Sequence, residues 1–183
     1  MRWIAVLAVF ALVPAWAQIK PPLVSAAAPV VPADKSRVPW PTLTGLERRI
    51  DETISRTGGK DPVALLGLTR GLYISGYGVV FTTEVDLVNS PAVTPFHQQI
   101  TREEAAQVHQ RKIGQLPILR QTTRDLWIAC ATSLTGIPEG DQIVVAVRLL
   151  YHPWEDTRGL PGLIMMRADR RALLSGDIQT EEQ

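Results

Sequence analysis

The sequence predicts an α+β fold: a two-layer sandwich whose antiparallel sheet is built from two β-hairpins, with helices packed on one face. Two observations predict it. Amphipathic helical patterns alternate with pairs of strand-like segments, and each pair is close enough along the chain to fold as a hairpin. We expect one such domain over residues 42–176, followed by a polar tail over 177–183.

The first helix is predicted over residues 45–57. Thr44 and Glu47 have the spacing of a capping box, in which an N-cap hydroxyl and a glutamate three residues later satisfy the first free amides. An apolar residue then recurs at every fourth position, which gives the helix one buried stripe. The stripe consists of Leu46, Ile50 and Ile54.

The first hairpin is predicted from residues 66–75 and 78–87. The turn between them is Gly76-Tyr77-Gly78, where glycine permits the positive φ that tight turns require. Apolar and polar residues alternate along the second segment, as they do in a strand with one buried face.

A second helix is predicted to begin after the capping box of Thr101 and Glu104 and to reach about Gly114. Pro117 has no amide hydrogen, so we expect a kink or a break there, followed by a further helix. The apolar stripe of that further helix is Leu119, Thr123, Leu126, Trp127, Cys130 and Leu134.

The second hairpin is predicted from residues 142–151 and 162–168. The first of these segments is apolar on almost both faces, which is typical of a central, covered strand. Asp169 is placed to cap a short helix, Arg170 to Ser175.

Residues 1–17 are typical of a secretory signal peptide. One basic residue precedes eleven apolar residues, and a small-x-small triplet then predicts cleavage between Ala17 and Gln18. The alternative is a membrane anchor, but eleven helical residues extend only about 16 Å and a bilayer core is about 30 Å thick. We therefore expect export to the periplasm or the medium and no stable membrane span after cleavage.

Residues 18–41 contain six prolines and are predicted to form a flexible, proline-rich segment that tethers the domain. The alternative is that part of the segment packs on the domain, with Trp40 the best placed to do so. Arginine outnumbers lysine by 15 to 4. This excess suggests a GC-rich bacterial genome and, with it, the periplasm.

Cleavage removes one arginine, and the formal charge falls from +1 to zero. A neutral chain argues against nucleic acid as a partner, because nucleic-acid binders usually carry a basic face. We expect the partner to be an envelope protein or a glycan.

Two groups of residues are candidates for chemistry. Glu84 and Asp86 lie two residues apart on a strand and share a face, as an acid–base pair or two cation ligands would. His152 and Asp156 follow a strand and have the residue types of a metal site or of a water-activating pair. For both groups, ordinary solvated polar residues are the favoured interpretation.

Cys130 lies on an apolar helix stripe, which favours a buried structural thiol over a nucleophile. No nucleophile elbow, dinucleotide loop or phosphate loop is present in the sequence, and no His or Cys pair has the spacing of a local zinc site. We therefore predict no catalytic residue, cofactor or metal, and a non-catalytic binding or assembly module. The alternative function is a cell-envelope hydrolase that uses the carboxylates and His152.

Overall fold

The computed structural model describes residues 38–91 and 99–176. The signal peptide with Ala17 and Gln18, most of the proline-rich segment, and the polar tail lie outside the described residues. The elements in chain order are α1 (Trp40–Ser55), β1 (Ala64–Leu65), β2 (Arg70–Ile74), β3 (Gly78–Asp86), α2 (Arg102–Ser133), β4 (Gln142–Leu149), β5 (Leu163–Asp169) and α3 (Arg170–Ser175).

Helix α1 begins four residues before the predicted N-cap. Pro39 is the N-cap and a second proline lies in the first turn, where its missing amide hydrogen costs nothing. The predicted capping box is therefore wrong: Thr44 lies inside the helix and its hydroxyl donates to Trp40 O at 3.1 Å. The predicted stripe is confirmed, since Leu46, Ile50 and Ile54 are all buried.

The five strands form one mixed sheet. β2 pairs with β3 and β4 pairs with β5 in antiparallel fashion, but β3 and β4 run parallel over eight residue pairs. The α+β class is confirmed, whereas the predicted all-antiparallel sheet is wrong. The reason is the long connection through α2, which carries the chain back so that β4 starts at the same end as β3.

Two glycines shape the turn between β2 and β3. Gly76 and Gly78 have φ angles of 76° and 136°, values that residues with a Cβ rarely adopt. The predicted turn and the hairpin that it joins are confirmed, although residues 66–69 lie outside the strands.

Helix α2 is continuous over 32 residues, about 48 Å, and Pro117 lies within it. Of the predicted kink or break, the continuous helix excludes the break, while the Thr101–Glu104 capping box is confirmed. Within residues 38–91 and 99–176, no helix combines the length and the apolar character that crossing a bilayer requires. The predicted stripe of α2 is buried throughout: Leu119, Thr123, Leu126, Trp127, Cys130 and Leu134.

The core is one cluster of buried side chains from α1, α2, α3 and the sheet. Trp127 of α2 is fully buried, and its indole N–H donates to Ile143 O on β4 at 2.8 Å. Leu43 of α1 is also in this cluster. The sheet supplies Val79, Phe81, Val85, Ile143, Val145, Val147, Ile164 and Met166. This hydrogen bond joins α2 to β4, which lies between β3 and β5 in the sheet.

We predict that Gly71→Ala destabilises the fold. A Cβ at residue 71 would lie 2.7 and 2.9 Å from two ring carbons of the buried Phe81, so either the ring or the strand must move. The expected loss is about 1–3 kcal/mol of unfolding free energy, measured by urea denaturation. The matched control is Gly67→Ala, because nothing lies within 4 Å of a Cβ there. Equal losses in the two variants would contradict the packing argument.

Candidate functional site

A buried lysine lies where α2 meets the end of β3 and the loop between β4 and β5. The Nζ atom of Lys112 is 2.7 Å from Asp86 Oδ1 and 2.5 Å from Glu155 Oε2. The side chain of Lys112 is 0% exposed, and those of Asp86 and Glu155 are 11% and 2% exposed. The three charges therefore interact away from water, where an unpaired charge would be strongly destabilising.

An aromatic ring covers this ion cluster. The Nζ atom of Lys112 lies 5.0 Å from the centroid of the Tyr151 ring, within cation–π range. Burial, together with the negative charges of Glu155 and Asp86, raises the pKa of Tyr151 to about 12. The phenol donates to Pro161 O at 2.7 Å, which fixes the ring over the lysine.

His152 forms the exposed rim of the cluster. Its imidazole stacks on the Trp154 indole with centroids 5.6 Å apart and planes 6° apart. The amide of Glu155 donates to His152 O at 3.0 Å, and this turn brings the two side chains to the same side of the loop. One ligand atom from each of Asp86, His152 and Glu155 lies within 4.8 Å of the others.

The structure brings together only two of the four residues that the sequence singled out. Asp86 and His152 meet in the cluster, whereas Glu84 pairs with Arg148 at 3.2 Å on the exposed surface. Asp156 pairs with Arg158 at 2.6 Å, and the hydrogen bonds from that guanidinium hold the pKa of Asp156 well below its usual value. Both of these carboxylates are thus engaged by arginines.

Sequence reasoning missed Lys112 and the role of Glu155. A signal for the lysine was available: Lys112 lies four residues from both Val108 and Leu116, two apolar residues that are buried in α2. A charged residue at a buried helix position requires a partner of opposite charge. No comparable signal identifies the partners, because they come from distant segments of the chain.

Cys130 is buried among apolar side chains of α2. Burial raises the pKa of its thiol to about 12, so the nucleophilic thiolate is almost absent near neutral pH. This environment agrees with the prediction of a structural thiol.

A second surface of interest is the sheet face opposite the one that carries Phe81, here called the outer face. Cross-strand pairing aligns one row of side chains from Leu72 through Val80 and Val144. Leu72 is 61% exposed. A groove of about 380 Å³ lies beside this row and is lined by Leu68, Arg70, Thr82, Ala146, Arg148 and Leu163.

Side chains from α1 cap the free edge of the sheet next to the outer face. The amide of Gly71 donates to Glu47 Oε1 at 2.7 Å, and the amide of Thr69 donates to Asp51 Oδ1 at 2.9 Å. A strand from another molecule would have to break both bonds to pair with β2 here. The glutamate of the predicted capping box thus protects a sheet edge.

Comparisons with protein-family models, curated proteins and solved structures find no match to this chain.

We predict that Glu155→Gln destabilises the fold by about 3 kcal/mol, because it removes one of the two negative charges that face the buried Lys112 ammonium. Glu84→Gln removes the same charge from an exposed ion pair and should cost less than about 1 kcal/mol. Urea denaturation of both variants measures the difference. Similar losses in both would show that burial does not decide the contribution of these charges.

We predict that Cys130 does not react with a disulfide reagent at neutral pH while the protein is folded. The thiol is buried and its pKa is about 12, so both access and ionisation are suppressed. Labelling in increasing urea, followed by mass spectrometry, should track global unfolding. Rapid stoichiometric labelling without denaturant would instead indicate an accessible, activated thiol.

Proposed function

We propose that this chain is an exported, non-catalytic binding or assembly module that holds an envelope protein on the outer face of its sheet. The observation that supports the proposal best is the exposed aliphatic surface of β2 and its neighbouring loop, in a chain whose N terminus has the pattern of a signal peptide. The large exposed side chains there are Leu66, Leu68, Leu72 and Ile74. Exposed apolar patches of this kind mark interaction sites.

The proposed layer arrangement makes this face available. We infer that the helices cover the sheet face that carries Phe81 and Val145, and leave the opposite face to the partner. Val80 and Ala146 on the outer face are partly accessible to solvent. Arg70 is exposed beside them. An apolar centre with charged residues at its border is the usual composition of a protein interface.

The chemistry of the outer face favours a protein over a glycan. Its exposed large apolar side chains include Leu72 and Ile74 of β2. A sugar placed there would bury hydroxyl groups against hydrocarbon without hydrogen bonds, which is unfavourable. Apolar side chains of a protein segment would be buried without that penalty. Capping of Thr69 and Gly71 directs the partner to the face and away from the sheet edge.

A cell-envelope hydrolase is the second candidate function. It is favoured by one observation, the convergence of His152 with Asp86 and Glu155. It ranks below the binding module because both carboxylates are already engaged by Lys112. The test is hydrolysis of a panel of peptidoglycan, peptide and ester substrates: turnover that disappears in His152→Ala would establish the hydrolase and refute the module.

We predict that a photoreactive amino acid at residue 72 crosslinks in native cells to one envelope protein. The matched control carries the same photoreactive residue at Ile118, a side chain of α2 that is 47% exposed. Mass spectrometry of the adducts identifies the captured partner. In the same cells, the mature chain should begin at Gln18 and should fractionate with the periplasm or the medium.

Specificity is tested by adding Ile74→Asp to the chain that carries the photoreactive residue. This change places a charge beside the proposed contact and should reduce the adduct at least tenfold. Equal crosslinking from residues 72 and 118, an adduct with a glycan, or an adduct with a second copy of this chain would each overturn the proposal.

A further inference from the structure

We propose that Asp86, His152 and Glu155 form a binding site for one divalent transition-metal ion of the zinc type. This site is independent of the outer face and of the partner proposed for it. It consists of one imidazole nitrogen and two carboxylates, and no two of these residues occupy adjacent positions in the sequence.

The three ligands already lie close to the separation that a metal requires. Their ligand atoms are within 4.8 Å of one another, whereas ligands around tetrahedral zinc are about 3.4 Å apart. The remaining difference is small, and His152 can close it because its side chain is exposed. The stacking on Trp154 limits the orientations of the imidazole, as hydrogen bonds do around known metal ligands.

An unsatisfied atom points independently to a ligand. Oε1 of Glu155 is buried and has no hydrogen-bond partner in the part of the chain that the structure describes. The side chain is only 2% exposed, so water does not compensate for the missing bond. A buried carboxylate oxygen with no donor is unfavourable, and coordination to a cation would satisfy it.

The net charge of the cluster also favours the binding of a cation. The carboxylates of Asp86 and Glu155 contribute −2 when ionised and the Lys112 ammonium contributes +1, which leaves −1 in a largely buried position. The ammonium contacts Oδ1 and Oε2 and so holds both carboxylates in place. The Oε1 atom of Glu155 is on the same carboxylate and remains available to a metal.

The donor set selects the class of metal. Calcium and magnesium bind mainly oxygen, whereas a mixed imidazole and carboxylate set suits zinc, cobalt and related ions. Three protein ligands on a rim open to solvent leave the fourth tetrahedral position to water.

The test uses the full-length mature protein without an affinity tag, stripped with a chelator and titrated calorimetrically with Zn²⁺. We predict one ion bound per chain, an increase in Tm, and for Co²⁺ a visible spectrum of four-coordinate geometry. His152→Ala should weaken Zn²⁺ binding at least tenfold and abolish that spectrum. Because His152 is exposed, circular dichroism of this variant should remain that of the folded protein.

The matched control is His109→Ala. His109 lies on α2, where its Nδ1 is 2.8 Å from Asp156 O, and it is not a member of the proposed site. This variant should bind Zn²⁺ as tightly as the parent. Absence of stoichiometric Zn²⁺ binding, or binding that survives in His152→Ala, would overturn the proposal and would leave the proposed binding module unaffected.

Discussion

The ion cluster around Lys112 joins three parts of the chain at one buried point. Lys112 comes from the first half of α2, Asp86 ends β3, and Glu155 belongs to the loop that follows β4. A buried ammonium tolerates few arrangements, because each misplaced carboxylate leaves a charge unpaired in a low-dielectric environment. The cluster therefore fixes the position of α2 along the sheet, while apolar packing alone would tolerate small shifts.

The same helix explains why the sheet is mixed. β3 and β4 are separated by a long helix, and strands with such a connection usually run parallel. The sequence contains only part of this information, because it predicts a helical connection with a kink or a break at Pro117, and a break would leave the return direction open. Each hairpin can be predicted from local features, namely its turn or loop and the pattern of apolar and polar residues along its strands. The pairing between hairpins, however, depends on the direction in which α2 returns the chain, and that direction is a property of the whole fold.

Local patterns predicted most of the elements but less of the site. The α2 capping box and the α1 stripe depend on residues three or four apart, so the sequence alone reveals them. Thr44 and Glu47 match a capping box equally well, yet the prolines before them allow the helix to start earlier. The sequence alone identifies Asp86 and His152 as candidate metal ligands or acid–base groups. Their convergence could not be predicted, because it requires the relative position of β3 and the loop after β4.

Glu47 illustrates how a local motif can serve a distant contact. Inside α1 its carboxylate is free to accept the amide of Gly71, and Asp51 one turn later accepts the amide of Thr69. The Phe81 ring occupies the space that a side chain at residue 71 would need. Because Gly71 has none, the strand lies close to both the ring and the helix. Two acidic residues of one helix thus close the exposed edge of the sheet. The apolar residues of β2 remain accessible from the outer face, and a partner that uses them must approach over the face of the sheet.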